Sequence, residues 1–185
     1  MLCICGKSGS GKTTIVNELL KNGWKKVVQY TTRPPRDGEV NGIDYYFISV
    51  DEFLNKVKGG FFVEWQVYNT IEGNWYYGST MKDYFGDKKV AILPPKSLVE
   101  VKTKLQSLKI YSIYIVGDDK WLHYRGDNVL EMNRRKHTDD KDFKNIYNIV
   151  DSSIKNDGTL DINLIADMIS YAYYDWKQNF QVLFK

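Results

Sequence analysis

The sequence predicts an α/β domain with helices flanking a parallel sheet, and three observations carry that prediction. The first is the opening order: "MLCICG" alternates like a strand, a glycine-rich turn follows, and "KTTIVNELLKNG" places Ile15, Val16, Leu19 and Leu20 at helical spacing before a glycine stop. The second is a later pair of strand-like runs, "KVAIL" and "KIYSIYIV", separated by the helix-compatible "SLVEVKTKLQSL"; a crossover of that size joins parallel neighbours. The third is the tail, where "YNIVDSSI" reads as a last strand and "LDINLIADMISYAYYDW" as a helix that packs back on the sheet.

Two segments interrupt this rhythm. Residues 30–79 turn to Tyr, Thr, Arg, Pro and Gly-rich text with short strands at "YYFISV" and "FFVEWQVY" and a small helix around "VDEFLNKV", the pattern of an inserted mixed α/β lobe. Residues 120–140 are charged and helix-compatible, with a break at Gly126 and Asp127, which suits a short helical lid. A chain of 185 residues that is 43% hydrophobic fits one domain with a sizeable core. The expected organisation is a single domain over 1–185, with a core of 1–29, 80–119 and 141–185, the lobe at 30–79 and the lid at 120–140.

Composition removes several function classes. A net charge of +3 with 26% charged residues gives no broad basic face, so neither nucleic acid nor a membrane surface is an expected partner. An anionic ligand must be met by local clusters instead. Cys3 and Cys5 are the only cysteines; they fall on one face of the first strand with no second pair to complete a zinc site, and read as core thiols. No apolar run is long enough to span a bilayer, and the first strand begins so near Met1 that no leader is expected, so the predicted location is cytoplasmic. His123 and His137 have no partner pattern and read as surface residues.

The turn after the first strand is "GKSGSGKT", which fits G-x-x-x-x-G-K-[ST] at every fixed position and has the strand and helix the motif requires on either side. Gly6, Gly9 and Gly11 let successive backbone N–H groups curl around a phosphate, and the helix N-terminus adds positive potential. Lys12 reaches the β and γ oxygens of a nucleoside triphosphate, and Thr13 offers a hydroxyl to Mg²⁺. Ser8 and Ser10 shape the turn and bring hydroxyls near phosphate; with Thr14 they complete the predicted ATP site. This is a P-loop, and a P-loop NTPase core is the expected fold.

A donor site raises the question of the acceptor. In "YTTRPPRDGEVNGIDYYF", Arg33 and Arg36 flank Pro34 and Pro35, which stiffen the backbone and fix where the guanidinium groups point. Two such forks bind a phosphate monoester bidentately and offset its charge beside the donor γ-phosphate.

Here the chain resembles the guanylate kinase family over nearly its whole length. The matching segments are "GKSGSGKT", "TTRPPRDGEVNGIDYYF", "FFVEWQV", "GNWYYGST", "YRGD", "MNRRK" and "IKNDGTLD". The resemblance implies that Arg33, Arg36, Tyr45 and Tyr77 hold the acceptor phosphate. It implies that Glu64 accepts from the N1–H and 2-amino group of guanine, as a carboxylate suits a donor–donor edge, and that Ser79 also contacts the base. Arg125 matches an arginine of the lid turn. Arg135, with Arg134 as the alternative, matches a later lid arginine that closes on ATP phosphates, and Asn156 a residue near adenine. The catalytic set so implied is Lys12, Arg33, Arg125 and Arg135, with Mg²⁺ carried on ATP and held by Thr13. The activity implied is transfer of the γ-phosphate of MgATP to GMP or dGMP, or to a modified guanine nucleotide. A ribose-bisphosphate-type kinase and a non-catalytic binding module of the same family are the alternatives; the module would generally lack a complete P-loop.

The sequence also departs from that family. Leu93 and Pro95, in "VAILPPKSLV", stand roughly where two aspartates are expected, with Asp118 and Asp119 as other candidate acids and Lys96 as a candidate to face an acceptor group. Trp121 replaces a further lid arginine. Gln29 and Tyr30 stand where small serines are common, and the stretch from Glu64 to Ser79 is longer than usual. Apart from Trp121, the departures cluster around the acceptor base and leave the residues matched to the acceptor phosphate intact.

Overall fold

The computed structural model describes residues 1–118 and 129–182. Its centre is a five-stranded sheet of β1 (Leu2–Gly6), β2 (Lys25–Lys26), β7 (Lys89–Ile92), β8 (Tyr111–Gly117) and β9 (Ser152–Asn156), in the order β2-β7-β1-β8-β9 with every pair parallel. All five residues of β1 are buried, as expected of a central parallel strand covered on both faces. Leu2 and Ile4 face one layer with Ile15, Val16 and Leu19 of α1 (Lys12–Lys21) and Ile165 and Ile169 of α5 (Ile162–Val182). Cys3 and Cys5 face the other, packed with Leu98 and Val101 of α3 (Pro95–Lys104). Burial pushes both thiols up, Cys5 to about 12, so they are inert core groups.

A second sheet, ordered β4-β3-β6-β5, is built from β3 (Tyr30–Thr31), β4 (Tyr46–Phe47), β5 (Glu64–Thr70) and β6 (Gly73–Ser79). β5 and β6 form a hairpin that pairs Glu64 with Ser79 and ends with Thr70 opposite Gly73. The helix α2 (Val50–Lys58) covers this sheet by stacking Phe53 on Phe62, ring centroids 4.5 Å apart. Its start is set by Ser49, whose hydroxyl accepts the Glu52 N–H at 3.1 Å. That cap shortens the expected "YYFISV" strand to Tyr46–Phe47, because the chain has already turned by Ser49.

The last strand also differs from expectation. In "YNIVDSSI" only the final residues pair, since Ile146–Asn148 form a 3₁₀ turn and β9 begins at Ser152. Ile146 is buried while Tyr147 stands exposed. The apolar side chains plug the end of a core layer instead of forming a ladder. α4 (Val129–Asp142) meets the glycine-rich turn near its C-terminal end, where Asp139 accepts from the Ser8 N–H. No described helix is long and apolar enough to cross a membrane.

Candidate active site

The glycine-rich loop joins β1 to α1 and is braced from three sides. Gly11 caps α1 in the left-handed region at φ 85°, which a side chain would resist, and the Asn156 amide lies directly against it. Asn156 Nδ2 donates to the Ser10 carbonyl at 3.0 Å, so this residue, matched to an adenine neighbour, holds the loop itself. Behind the loop a Cβ at Gly117 of β8 would come within 2.6 Å of Ser10 Cα, which explains a glycine there. Ser10 is buried with its hydroxyl turned toward Gly6 under the loop. Lys12 Nζ donates to the Lys7 carbonyl at 2.7 Å, curling over the loop. Thr13 and Thr14 are exposed at the first turn of α1, with Thr13 facing the cavity described below.

Two acidic residues of α4 approach the same loop. The Ser8 N–H donates to Asp139 Oδ2 at 2.6 Å, and Lys7 pairs with Asp140 at 2.5 Å. A carboxylate thus occupies one of the amides that the motif offers to phosphate.

The arginines of the lobe are fixed by a glutamate. Arg33 is buried, and its guanidinium donates to Glu39 Oε1 and to the Pro34 carbonyl, each at 2.7 Å. The Arg36 N–H donates to the other oxygen of Glu39 at 2.7 Å, while the Arg36 side chain is exposed. Burial alone would raise the Glu39 pKa, but the Arg33 hydrogen bond and the Arg36 amide outweigh it and hold the carboxyl below its usual range. The Arg33 guanidinium lies 5.3 Å from the Tyr45 ring centroid, and Tyr45 meets Tyr77 edge to face at 5.9 Å. Lys26 also reaches this corner, 5.0 Å from the Tyr45 ring, with Nζ donating to the Asp44 carbonyl at 2.9 Å. Burial lowers its pKa, partly offset by Asp44 and Glu39.

Glu64 is the most enclosed charged residue of the site, 1% exposed. Ser79 donates to Oε1 and accepts in turn from the Tyr84 hydroxyl; Ser97 donates to Oε2 at 2.5 Å, and Gln29 Nε2 reaches Oε1 at 3.4 Å. Ser97 lies in the first turn of α3, whose dipole also favours a carboxylate. Burial nevertheless raises the Glu64 pKa above its usual value, with the Ser79, Ser97 and Gln29 hydrogen bonds pulling the other way.

The run "ILPPKSL" therefore supplies a helix start, with Pro94 as cap and Pro95 at the first position. Leu93 is buried at the cavity wall where the family pattern suggested an acid. Lys96 is exposed and faces Asp142. Asp118 lies beyond β8 near Lys155, away from the cavity lining, and His137 is exposed on α4. Arg125, Asp119, Trp121 and His123 fall outside the described residues.

One cavity of about 380 Å³ brings these groups together. Its lining runs from Gly6, Ser8, Lys12 and Thr13 past Arg134, Arg135 and Asp139 to Arg33, Arg36, Tyr45, Tyr77 and Glu64. Ser79 is buried behind Glu64, and Thr14 and Asn156 lie outside the lining. Sequence reasoning missed Ser97, Glu39, Lys26, Tyr84, Gln66 and Asp139. Ser97, Lys26 and Asp139 meet partners far along the chain, and only Glu39, inside the arginine motif, carried a local signal.

The model of the guanylate kinase family matches residues 1–162. The chain belongs to the guanylate kinase family. Guanylate kinase from Nitratidesulfovibrio vulgaris is 44% identical over 84 residues, 44% of this chain and 39% of that protein. Guanylate kinase from Thermotoga maritima is 37% identical over 116 residues, 60% of this chain and 53% of that protein. These matched stretches thus span about half of each relative or less. The crystal structure of guanylate kinase from Anaplasma phagocytophilum superposes with a TM-score of 0.67 at 26% identity, covering 93% of this chain and 82% of that one. The five-stranded parallel sheet flanked by helices, with the P-loop following β1, is that of a guanylate kinase P-loop NTPase fold.

Proposed function

We propose that this guanylate kinase family member transfers the γ-phosphate of ATP to the 5′-phosphate of GMP or dGMP, a modified guanine nucleotide included, yielding the corresponding diphosphate and ADP. The observation that carries the reading is the single cavity with a phosphate loop at one end and a double-arginine, double-tyrosine corner at the other. An acceptor phosphate oxygen attacks the γ-phosphorus as the bond to the β–γ bridging oxygen breaks, and the electron pair leaves on ADP. Lys12 and the loop amides hold the donor phosphates. Arg33 and Arg36, with Tyr45 and Tyr77, orient the acceptor phosphate for in-line attack. Arg134 and Arg135 on α4 supply positive charge to the transferring group, alongside Arg125, and help exclude water. Thr13, which lines the cavity with Lys12, would hold Mg²⁺ through its hydroxyl, with water and nucleotide phosphates as the other oxygen ligands. When bound, the ion offsets phosphate charge.

Glu64 accepts from the 2-amino and N1–H groups of guanine, and Ser97 and Ser79 hold it in place. Coupled measurement of ADP formation over a panel of ribo- and deoxynucleoside monophosphates tests the reading. Turnover with GMP or dGMP well above the other bases is expected, and no turnover with any guanine nucleotide overturns it.

A further inference from the structure

The hairpin of β5 and β6 presents alternate residues to the cavity. Glu64 and Gln66 of one strand and Tyr77 of the other line it, whereas Trp65 and Val67 point outward with 38% and 43% exposure. Glu64 pairs with Ser79 at the base end and Gln66 with Tyr77 at the phosphate end. Two residues along a strand advance roughly 7 Å. Gln66 therefore stands level with Tyr77, the group assigned to the 5′-phosphate, and one step along the strand from Glu64, the group assigned to the Watson–Crick edge of the base.

Gln66 Nε2 is buried and has no hydrogen-bond partner. A buried amide donor left unsatisfied is destabilising, because its lost hydration is not replaced. By contrast, the groups that contact the Glu64 carboxylate are paired: Ser79 and Gln29 to Oε1, Ser97 to Oε2, and Tyr84 to Ser79. Gln66 itself lines the cavity, and a turn about its last side-chain torsion brings the unmet donor to a ligand held there.

We propose that Gln66 is a specificity-determining residue that donates a hydrogen bond to an acceptor atom on the purine edge between the Watson–Crick face and the phosphate, the 6-oxo group or N7. This rests on the guanine-nucleotide reading above. Of the two edges that lie between Watson–Crick face and phosphate, only the one carrying O6 and N7 offers lone pairs without competing N–H donors. Glu64 and Gln66 then read complementary features, a donor edge by a carboxylate and an acceptor edge by an amide. A base without that acceptor leaves the Gln66 amide unsatisfied on closure, which is how a site built around a hydrogen bond rejects an analogue.

The test compares wild type with Gln66→Leu and Gln66→Glu, in the full chain, using GMP, 7-deaza-GMP and 6-thio-GMP as acceptors at saturating MgATP. Both analogues keep the N1–H and 2-amino donors read by Glu64; one lacks N7 and the other weakens the 6-position acceptor. For GMP, kcat/KM falls about tenfold in both variants, through KM, with the KM for ATP unchanged. For one of the two analogues the variants and wild type agree within about twofold, and that analogue names the atom contacted. An equal fall for all three acceptors, or no fall for any, overturns the proposal. Gln66→Glu keeps the size of the side chain, so loss confined to Gln66→Leu signals packing and likewise overturns it. If wild type transfers no phosphate to GMP, the functional reading itself fails and this inference with it. If wild type is active on GMP and the variants are indiscriminate, only this inference fails.

Discussion

The two ends of the cavity are built in opposite ways. The end proposed for the donor is one contiguous stretch that offers backbone N–H groups and the Lys12 side chain, and its supports, Asn156 and Gly117, act by holding that backbone in place. The acceptor end is a set of side chains from distant segments, in which Glu64 depends on Ser79, Ser97 and Gln29, and Arg33 depends on Glu39. A backbone site accepts any triphosphate of the right shape. A side-chain site can be retuned one substitution at a time, and it is here that this chain departs from its family pattern. The difference predicts that donor-end changes abolish transfer with every acceptor, whereas acceptor-end changes alter which base is used.

The largest effect is expected at the donor end. On the proposed reading, Lys12→Ala removes the cation that follows the γ-phosphate into the transition state and should cut kcat by about a thousandfold or more with every acceptor. Its melting temperature should stay close to wild type, since the lost bond is to a carbonyl at the loop surface. A selective loss for one acceptor would break the comparison.

Next in size is Ser97→Ala, which strips one hydrogen bond from a buried carboxylate. Hydrogen bonds to charged groups contribute roughly 1.5–3 kcal/mol, so the KM for GMP should rise about tenfold or more while that for ATP holds. A change confined to ATP would show that Ser97 acts through the fold and has no part in holding the acceptor glutamate.

The pH profile sharpens the same contrast. Glu64 must be ionised to accept two N–H groups, and burial raises its pKa. As pH falls, acceptor affinity should weaken at a pH above the ordinary carboxylate range, where ATP binding is still intact. In Glu64→Gln that inflection should vanish. A profile unchanged by the substitution would assign the titration elsewhere.

The smallest effect concerns the carboxylate on the donor loop. Asp139 holds the Ser8 N–H that a phosphate would use, so Asp139→Asn should tighten ATP binding by about threefold, seen by titration with ATP alone. Weaker binding would mean that Asp139 helps to order the loop.

Legibility in the sequence follows the same division. The P-loop motif could be read whole because the groups it offers to phosphate are neighbours in the chain and its logic is backbone geometry. The parallel core was legible from strand and helix periodicity, except where apolar residues serve as plugs, as in "YNIV", whose Ile146 is buried outside any strand. At the acceptor end, Glu64 and Ser79 came from family resemblance. Ser97 did not, because it meets Glu64 across 33 residues and sits in a run that local text presents only as a proline-rich turn. Gln66 gave no signal at all: an amide in an alternating strand looks like any polar position until the register shows it lining the cavity without a partner.

The most direct test of the central claim is steady-state kinetics of Glu64→Ala beside wild type, varying GMP at saturating MgATP and ATP at saturating GMP. The account predicts that kcat/KM for GMP falls about a hundredfold or more while the KM for ATP stays within about threefold. Undiminished use of GMP by Glu64→Ala, with ATP kinetics equally unchanged, would contradict it.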